Sequence, residues 1–142
     1  MNISNKQAAT IVIGMVVIWL VIQVSREKAD ERIIHLGDAD FAATIENSPI
    51  PVLVDFWAPW CGPCRRIQPG LNKLVDDMDD RMLFAKVNID HAPQLAAEYA
   101  EQGIPLIVLF KDGEEVAALL GAHTYQVYKS WIIRSVFDTS GS

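Results

Sequence analysis

Cys61 and Cys64 are the only cysteines in the 142-residue chain, and they stand together in Trp60-Cys61-Gly62-Pro63-Cys64. The spacing places two thiols within disulfide reach where an apolar run gives way to a helical pattern. A bridge of that span closes a loop too short to restrict the unfolded chain much, so it is a poor staple. Reversible thiol–disulfide exchange is the chemistry the spacing suits. Unpaired N–H groups and partial positive charge at a helix start stabilise an anion. Cys61, at that start, is therefore expected to be the thiolate nucleophile. Cys64, one turn further in, is expected to be the more buried. It is the resolving thiol, which attacks the mixed disulfide at Cys61 and frees the reduced product. Pro63 suits the first turn, where its missing N–H costs nothing.

Resolution requires a base. Pro51 to Trp57 is nearly continuously apolar, the pattern of a strand covered on both faces, and Asp55 is its one charge. Desolvation raises the pKa of such a carboxyl towards the working range, which makes Asp55 the candidate proton acceptor. Lys86, on the next apolar run, is its expected partner and would keep it partly ionised. A purely structural Asp55–Lys86 ion pair is the competing reading. Gly103-Ile104-Pro105 is the other candidate element. Proline at the head of a strand is tolerated for structural reasons alone. A cis bond there would set the Ile104 backbone beside Cys61, free to pair with an extended substrate.

The elements that must position these groups follow from pattern. Ile33 to Leu36 reads as a first strand, and Asp38 or Asp40 as the cap of a helix through Phe41 and Ile45 to Asn47. A long helix is predicted over 62–80, with Ile67, Leu71, Leu74, Val75 and Met78 on one stripe and a kink at Pro69. A strand over 82–90 and a helix over 92–102, closed by Gly103, come next. Leu106–Phe110 and Glu115–Leu120 form a hairpin around Asp112-Gly113. Thr124 caps a last helix carrying Val127, Trp131, Ile132 and Val136. The order βαβαβ then αββα predicts an α/β fold: a central mixed sheet with helices on both faces.

Ahead of this domain, Ala8 to Val24 holds no charge. These 17 residues give about 25 Å of helix, enough to span a slightly thinned bilayer core. A cleaved secretory signal is the competing reading, but Gln23 to Lys28 offers no small-x-small cleavage site. The expected organisation is a flank at 1–7, a transmembrane anchor at 8–24, a charged linker at 25–32, the domain at 33–138 and a tail at 139–142. Lys and Arg counts at the two ends of the span slightly favour a cytoplasmic domain. Against that count, the expected side is the periplasmic face of a bacterial inner membrane. Residues 33–142 carry 8 basic against 15 acidic side chains, a net charge of −7, which argues against nucleic acid as a partner. His35, His91 and His123 lie far from the cysteines, short of a structural zinc set. The run Asp76 to Asp80 lacks the glycine and spacing of a calcium loop. No metal and no bound cofactor is expected.

The chain resembles the thioredoxin family over roughly residues 33–137. The resemblance is carried by 54–64 (VDFWAPWCGPC), Pro69, 86–90 (KVNID), Gly103-Ile104-Pro105, 110–113 (FKDG) and Gly121-Ala122. It implies the thioredoxin fold, a cis Pro105, and a substrate groove formed by Trp60, Ile104-Pro105 and Gly121-Ala122, with Gly62 and Pro63 of the motif. It also implies reduction of disulfides in client proteins, by a monomer recharged through an upstream thiol-disulfide reductase. Two departures stand out. Leu106 follows the proline where these proteins usually carry Thr, which makes the groove's neighbourhood more apolar. The N-terminal span is foreign to the soluble members and suggests a membrane-localised task. The rival readings are a dedicated extracytoplasmic reductant, for example in cytochrome c maturation, and a non-catalytic interaction module on the same fold.

Overall fold

The computed structural model describes residues 5–138, leaving out the side chains of 25–30. The chain divides into two units, residues 1–31 and 32–142. The first is one helix, α1 (Asn5–Glu31). Its segment Asn5–Val24 has a mean hydropathy of 2.2, and its large apolar side chains are exposed. It is long and apolar enough to cross a membrane, a test that a signal sequence also passes.

The second unit is built on a five-stranded sheet, β1 (Ile33–Leu36), β2 (Val52–Trp57), β3 (Leu83–Asn88), β4 (Leu106–Lys111) and β5 (Glu114–Leu120), in the spatial order β1-β3-β2-β4-β5. β1, β3 and β2 run parallel, while β4 is antiparallel to β2, and β5 to β4. Helices α2 (Phe41–Asn47) and α4 (Pro93–Tyr99) cover one face; α3 (Gly62–Met78) and α5 (Tyr125–Ile132) cover the other. This is the mixed sheet, sheathed on both sides, that the residue pattern predicts.

Alternation along β2 sorts its side chains between two cores. Val52, Val54 and Phe56 join Phe41, Ile45 and Leu95; Leu53 joins Leu71, Leu74, Val75, Tyr128 and Ile132 beneath α3 and α5. Asp55 shares the parity of Leu53, so its carboxyl points to the face that α3 covers. On the opposite face, Phe56 stacks on Tyr99 with ring centres 4.8 Å apart, and Phe41 meets both.

Several details depart from the pattern. Asp40 stands at the start of α2 but makes no capping bond to it; its Oδ1 accepts from Gly37 N instead. The Asp38 carboxylate accepts from Gln94 N (3.1 Å) and Leu95 N (3.0 Å), so it caps α4, 56 and 57 residues along the chain. α4 ends at Tyr99 rather than near 102, because residues 100–104 turn the chain into β4, with Gly103 N bonded to Ala100 O and Gly103 at φ 118°. In α5 the buried position belongs to Tyr128, while Val127 is 44 % exposed. Thr124 caps this helix through Val127 N as its pattern predicts. Trp131 packs half-buried against the α3–α5 core, and a π-helical turn (Ile133–Phe137) carries Val136 into it.

Arg32, the first residue of the domain, bonds Asp76 and Asp79 at the C-terminal end of α3. Asp38→Ala is expected to lower stability by about 1 kcal/mol, the usual loss of a helix N-cap. Asp40→Ala should cost less, because its bond lies within a turn. Urea denaturation of both variants checks the ranking, and equal losses would remove Asp38 from the capping role.

Candidate active site

Strand register gathers the site at one edge of the sheet. β2 and β3 are parallel and end together, with Trp57 opposite Asn88, so the chain leaving each lies side by side; Ile89 N bonds Trp57 O across the gap. β4 runs the other way and starts where β2 ends, with Phe56 opposite Leu106, which brings Ile104-Pro105 to the same edge. Leu106 pairs in turn with Leu120, so Gly121 follows beside Pro105, and Gly121 N donates to Pro105 O at 2.8 Å. Segments spread over 65 residues of sequence thus meet around the N-terminus of α3.

Cys61 is the N-cap of α3 and Cys64 lies in its first turn. The two are joined in a disulfide, and Cys64 N points at Cys61 Sγ, 3.2 Å away. That N–H is one of the orphan donors of the helix start, aimed at the sulfur where thiolate charge would collect. The expected contrast in burial is absent, with exposures of 4 % for Cys61 and 3 % for Cys64. In this bridged form both sulfurs belong to one small apolar cluster with Ala58, walled by Trp57, Ile89 and Ile104. Pro63 occupies the first turn of α3, as the sequence predicts. A side chain at Gly62 would meet only the Arg66 guanidinium at 3.7 Å, so packing does not demand glycine there.

Asp55 is 2 % exposed, and neither carboxylate oxygen has a hydrogen-bond partner among the described residues. Burial pushes its pKa up to about 7, against a smaller downward pull from the Lys86 charge. The two residues are register partners on β2 and β3, yet no hydrogen bond joins them. Lys86 Nζ donates to Gln68 Oε1 on α3 and lies 4.5 Å over the Trp57 ring. The influence of Lys86 on Asp55 is thus that of its charge across the register and not of a hydrogen bond. Lys86 acts on Asp55 through space, while the carboxyl faces an apolar interior.

This edge of the sheet has a feature that sequence spacing does not disclose. The Trp60 indole is 66 % exposed, and its Nε1 donates to both oxygens of Asp90, at 3.0 and 3.1 Å. Asp90 N is itself bonded to Asn88 Oδ1. The shared edge of β2 and β3 is the signal that would have paired Trp60 with Asp90. The Ile104–Pro105 bond is cis, Pro105 is buried, and Ile104 packs against the cysteine cluster. Gly121, at φ 93°, adopts a backbone conformation that favours glycine, and Ala122 beside it is exposed. Leu106 packs into the core of α2 and α4, so much of its apolar surface is spent there.

A family model described as Thioredoxin matches residues 32–134. The chain is 41 % identical to the thioredoxin of Haemophilus influenzae over 91 residues, 64 % of this chain and 85 % of that protein. It is 44 % identical over 88 residues to the thioredoxin of Porphyra purpurea, 62 % of this chain and 82 % of that one. With thioredoxin 1 of Synechococcus elongatus the identity is 45 % over 85 residues, 60 % and 79 % of the two chains. The chain belongs to the thioredoxin family. With its paired Cys61 and Cys64 it is a disulfide oxidoreductase of the protein-disulfide reductase kind. The thioredoxin match starts at Arg32, so α1 lies outside it.

For a thioredoxin domain with so buried an acid, stability must depend on pH. Between about pH 4 and 7 the folded chain holds a proton on Asp55 that the unfolded chain has released, so stability falls as pH rises through that window. Asp55→Asn removes the penalty. The variant should match the parent near pH 4 and exceed it by roughly 2–4 kcal/mol at pH 8. Denaturant titrations at the two pH values check this, and a difference that does not change with pH would contradict the raised pKa.

Proposed function

We propose that the protein is a membrane-tethered reductase of disulfides in client proteins, working through Cys61 and Cys64. The single observation that carries this reading is the placement of the cysteine pair at the N-terminus of α3, with Asp55 on the sheet face that α3 covers. In the reduced protein, the Cys61 thiolate attacks one sulfur of a client disulfide, forming a mixed disulfide and expelling the first client thiolate. Asp55 accepts the proton of Cys64, whose thiolate then attacks Cys61 Sγ. The second client thiolate leaves, the two client sulfurs end as thiols, and the protein ends in the bridged form. Two electrons have passed to the client, with one proton returned by Asp55 and one taken from solvent. An upstream dithiol returns them by the reverse exchange.

Trp60 and the 104–105 and 121–122 backbones are the surfaces on which an extended client segment would lie, with Gly62 and Pro63 at its floor. Main-chain pairing to the Ile104 segment gives affinity with little demand on client sequence. Lys86 tunes the charge of Asp55. The domain acts as a monomer, and residues 8–24 hold it to a bacterial inner membrane. We place it on the periplasmic side, where an oxidising compartment supplies the protein disulfides such an enzyme consumes. The Lys and Arg count favours the other side, which makes sidedness the measurement to take.

Cys64→Ser should accumulate mixed disulfides through Cys61, visible as thiol-sensitive bands on non-reducing gels. Cys61→Ser should accumulate none, and a trap variant that captures no client under native conditions would defeat the scheme. Protease added to intact spheroplasts of a bacterial host should degrade the domain; degradation only after the membrane is breached would put the domain in the cytoplasm.

A further inference from the structure

Tyr128 is the largest of the fully buried side chains, and it carries a polar atom into an otherwise apolar core. Leucine or phenylalanine would serve as filler at this place on α5. A phenol adds a hydroxyl whose burial is unfavourable unless it is bonded. Here it is bonded twice. Tyr128 Oη donates to Gly121 O at 3.0 Å and accepts from His123 N at 3.2 Å. Gly121 N meanwhile donates to Pro105 O at 2.8 Å. His123 turns back as well, its Nε2 lying 3.0 Å from Leu120 O and its ring edge-on to Tyr128 at 5.7 Å. One buried oxygen therefore ties both ends of the 121–123 loop, and through Gly121 the cis-proline segment, to the helix beneath them.

We propose that Tyr128 is a positioning residue that sets the spacing of the two backbone walls, 104–105 and 121–122, between which a client disulfide segment is held. The inference rests on the reductase reading above and adds to it a determinant of client binding outside the groove. Two backbone walls bind an extended chain only if their donors and acceptors stand at a fixed separation. Gly121 N is held by Pro105 O, but among the described residues the 122–123 backbone pairs with no strand. The hydroxyl of Tyr128 supplies the restraint at that far end, through His123 N. Burial, together with the Asp55 charge, pushes the Tyr128 pKa up despite its bond from His123, so the hydroxyl keeps the proton it donates.

Tyr128→Phe removes the oxygen and keeps the ring. With dithiothreitol to re-reduce the protein and insulin as the disulfide substrate, KM should rise five- to tenfold while kcat falls less than twofold. The preference for insulin over a small aromatic disulfide, as a ratio of kcat/KM values, should drop by the same five- to tenfold. A folded Tyr128→Phe protein whose KM and preference stay within twofold of the parent would overturn the proposal. A measurement without any variant tests the same bond: the His123 amide should exchange with solvent deuterium at least tenfold more slowly than that of exposed Ala122, and equal rates would also overturn it. If the parent protein itself fails to reduce insulin, the reductase reading falls instead, which separates the two failures.

Discussion

A strand buried on both faces admits few arrangements of its neighbours, and β2 is that strand here. It is the only strand with a parallel partner on one side and an antiparallel partner on the other. Its C-terminal end is therefore the place where a departing chain (58–61), a second departing chain (89–91) and an arriving one (104–105) must meet. The redox pair, the indole with its carboxylate partner, and the cis proline owe their proximity to that register and not to any attraction between them. A slip of one residue would turn Asp55 to the opposite core and Phe56 towards α3. Apolar matching on both faces thus protects the chemistry as firmly as it protects the fold.

The same strand bears a group that works against stability. An unpartnered carboxyl in an apolar interior is a liability at neutral pH, and the packing of two cores around β2 offsets it. Its pKa of about 7 lies where a carboxyl can both take and return a proton under ordinary conditions. Lys86, bonded to Gln68 and lying over the Trp57 face, softens the penalty through its charge without cancelling it.

Much of this was legible in the residues. The run through β2, the helical stripe of α3 and the Asp112-Gly113 turn are local signals, and they fixed five strands in order. Cys61, Cys64, Asp55 and Pro105 stood out because each breaks a pattern: a lone thiol pair, a charge in an apolar strand, a proline at a strand's head. What escaped was long-range. Asp38 gave a cap, but its target lay in α4 and not α2; Asp90 gave an acid, but its indole lay 30 residues away. Such pairings depend on which loops share a sheet edge, information that a strand's own sequence lacks. Tyr128 was overlooked beside Val127 because helical periodicity tolerates an error of one position, and only the tertiary packing chooses between them.

The ion pairs of Arg32 have a bearing on how the site can be approached. They fasten the domain's first residue near the last turn of α3, and the reactive sulfurs sit at that helix's other end. Seventeen residues of helix separate the two, about 25 Å of rigid spacer. The chain thus enters this domain at the end of α3 remote from its sulfurs, so changes at the point of entry leave the approach to Cys61 untouched.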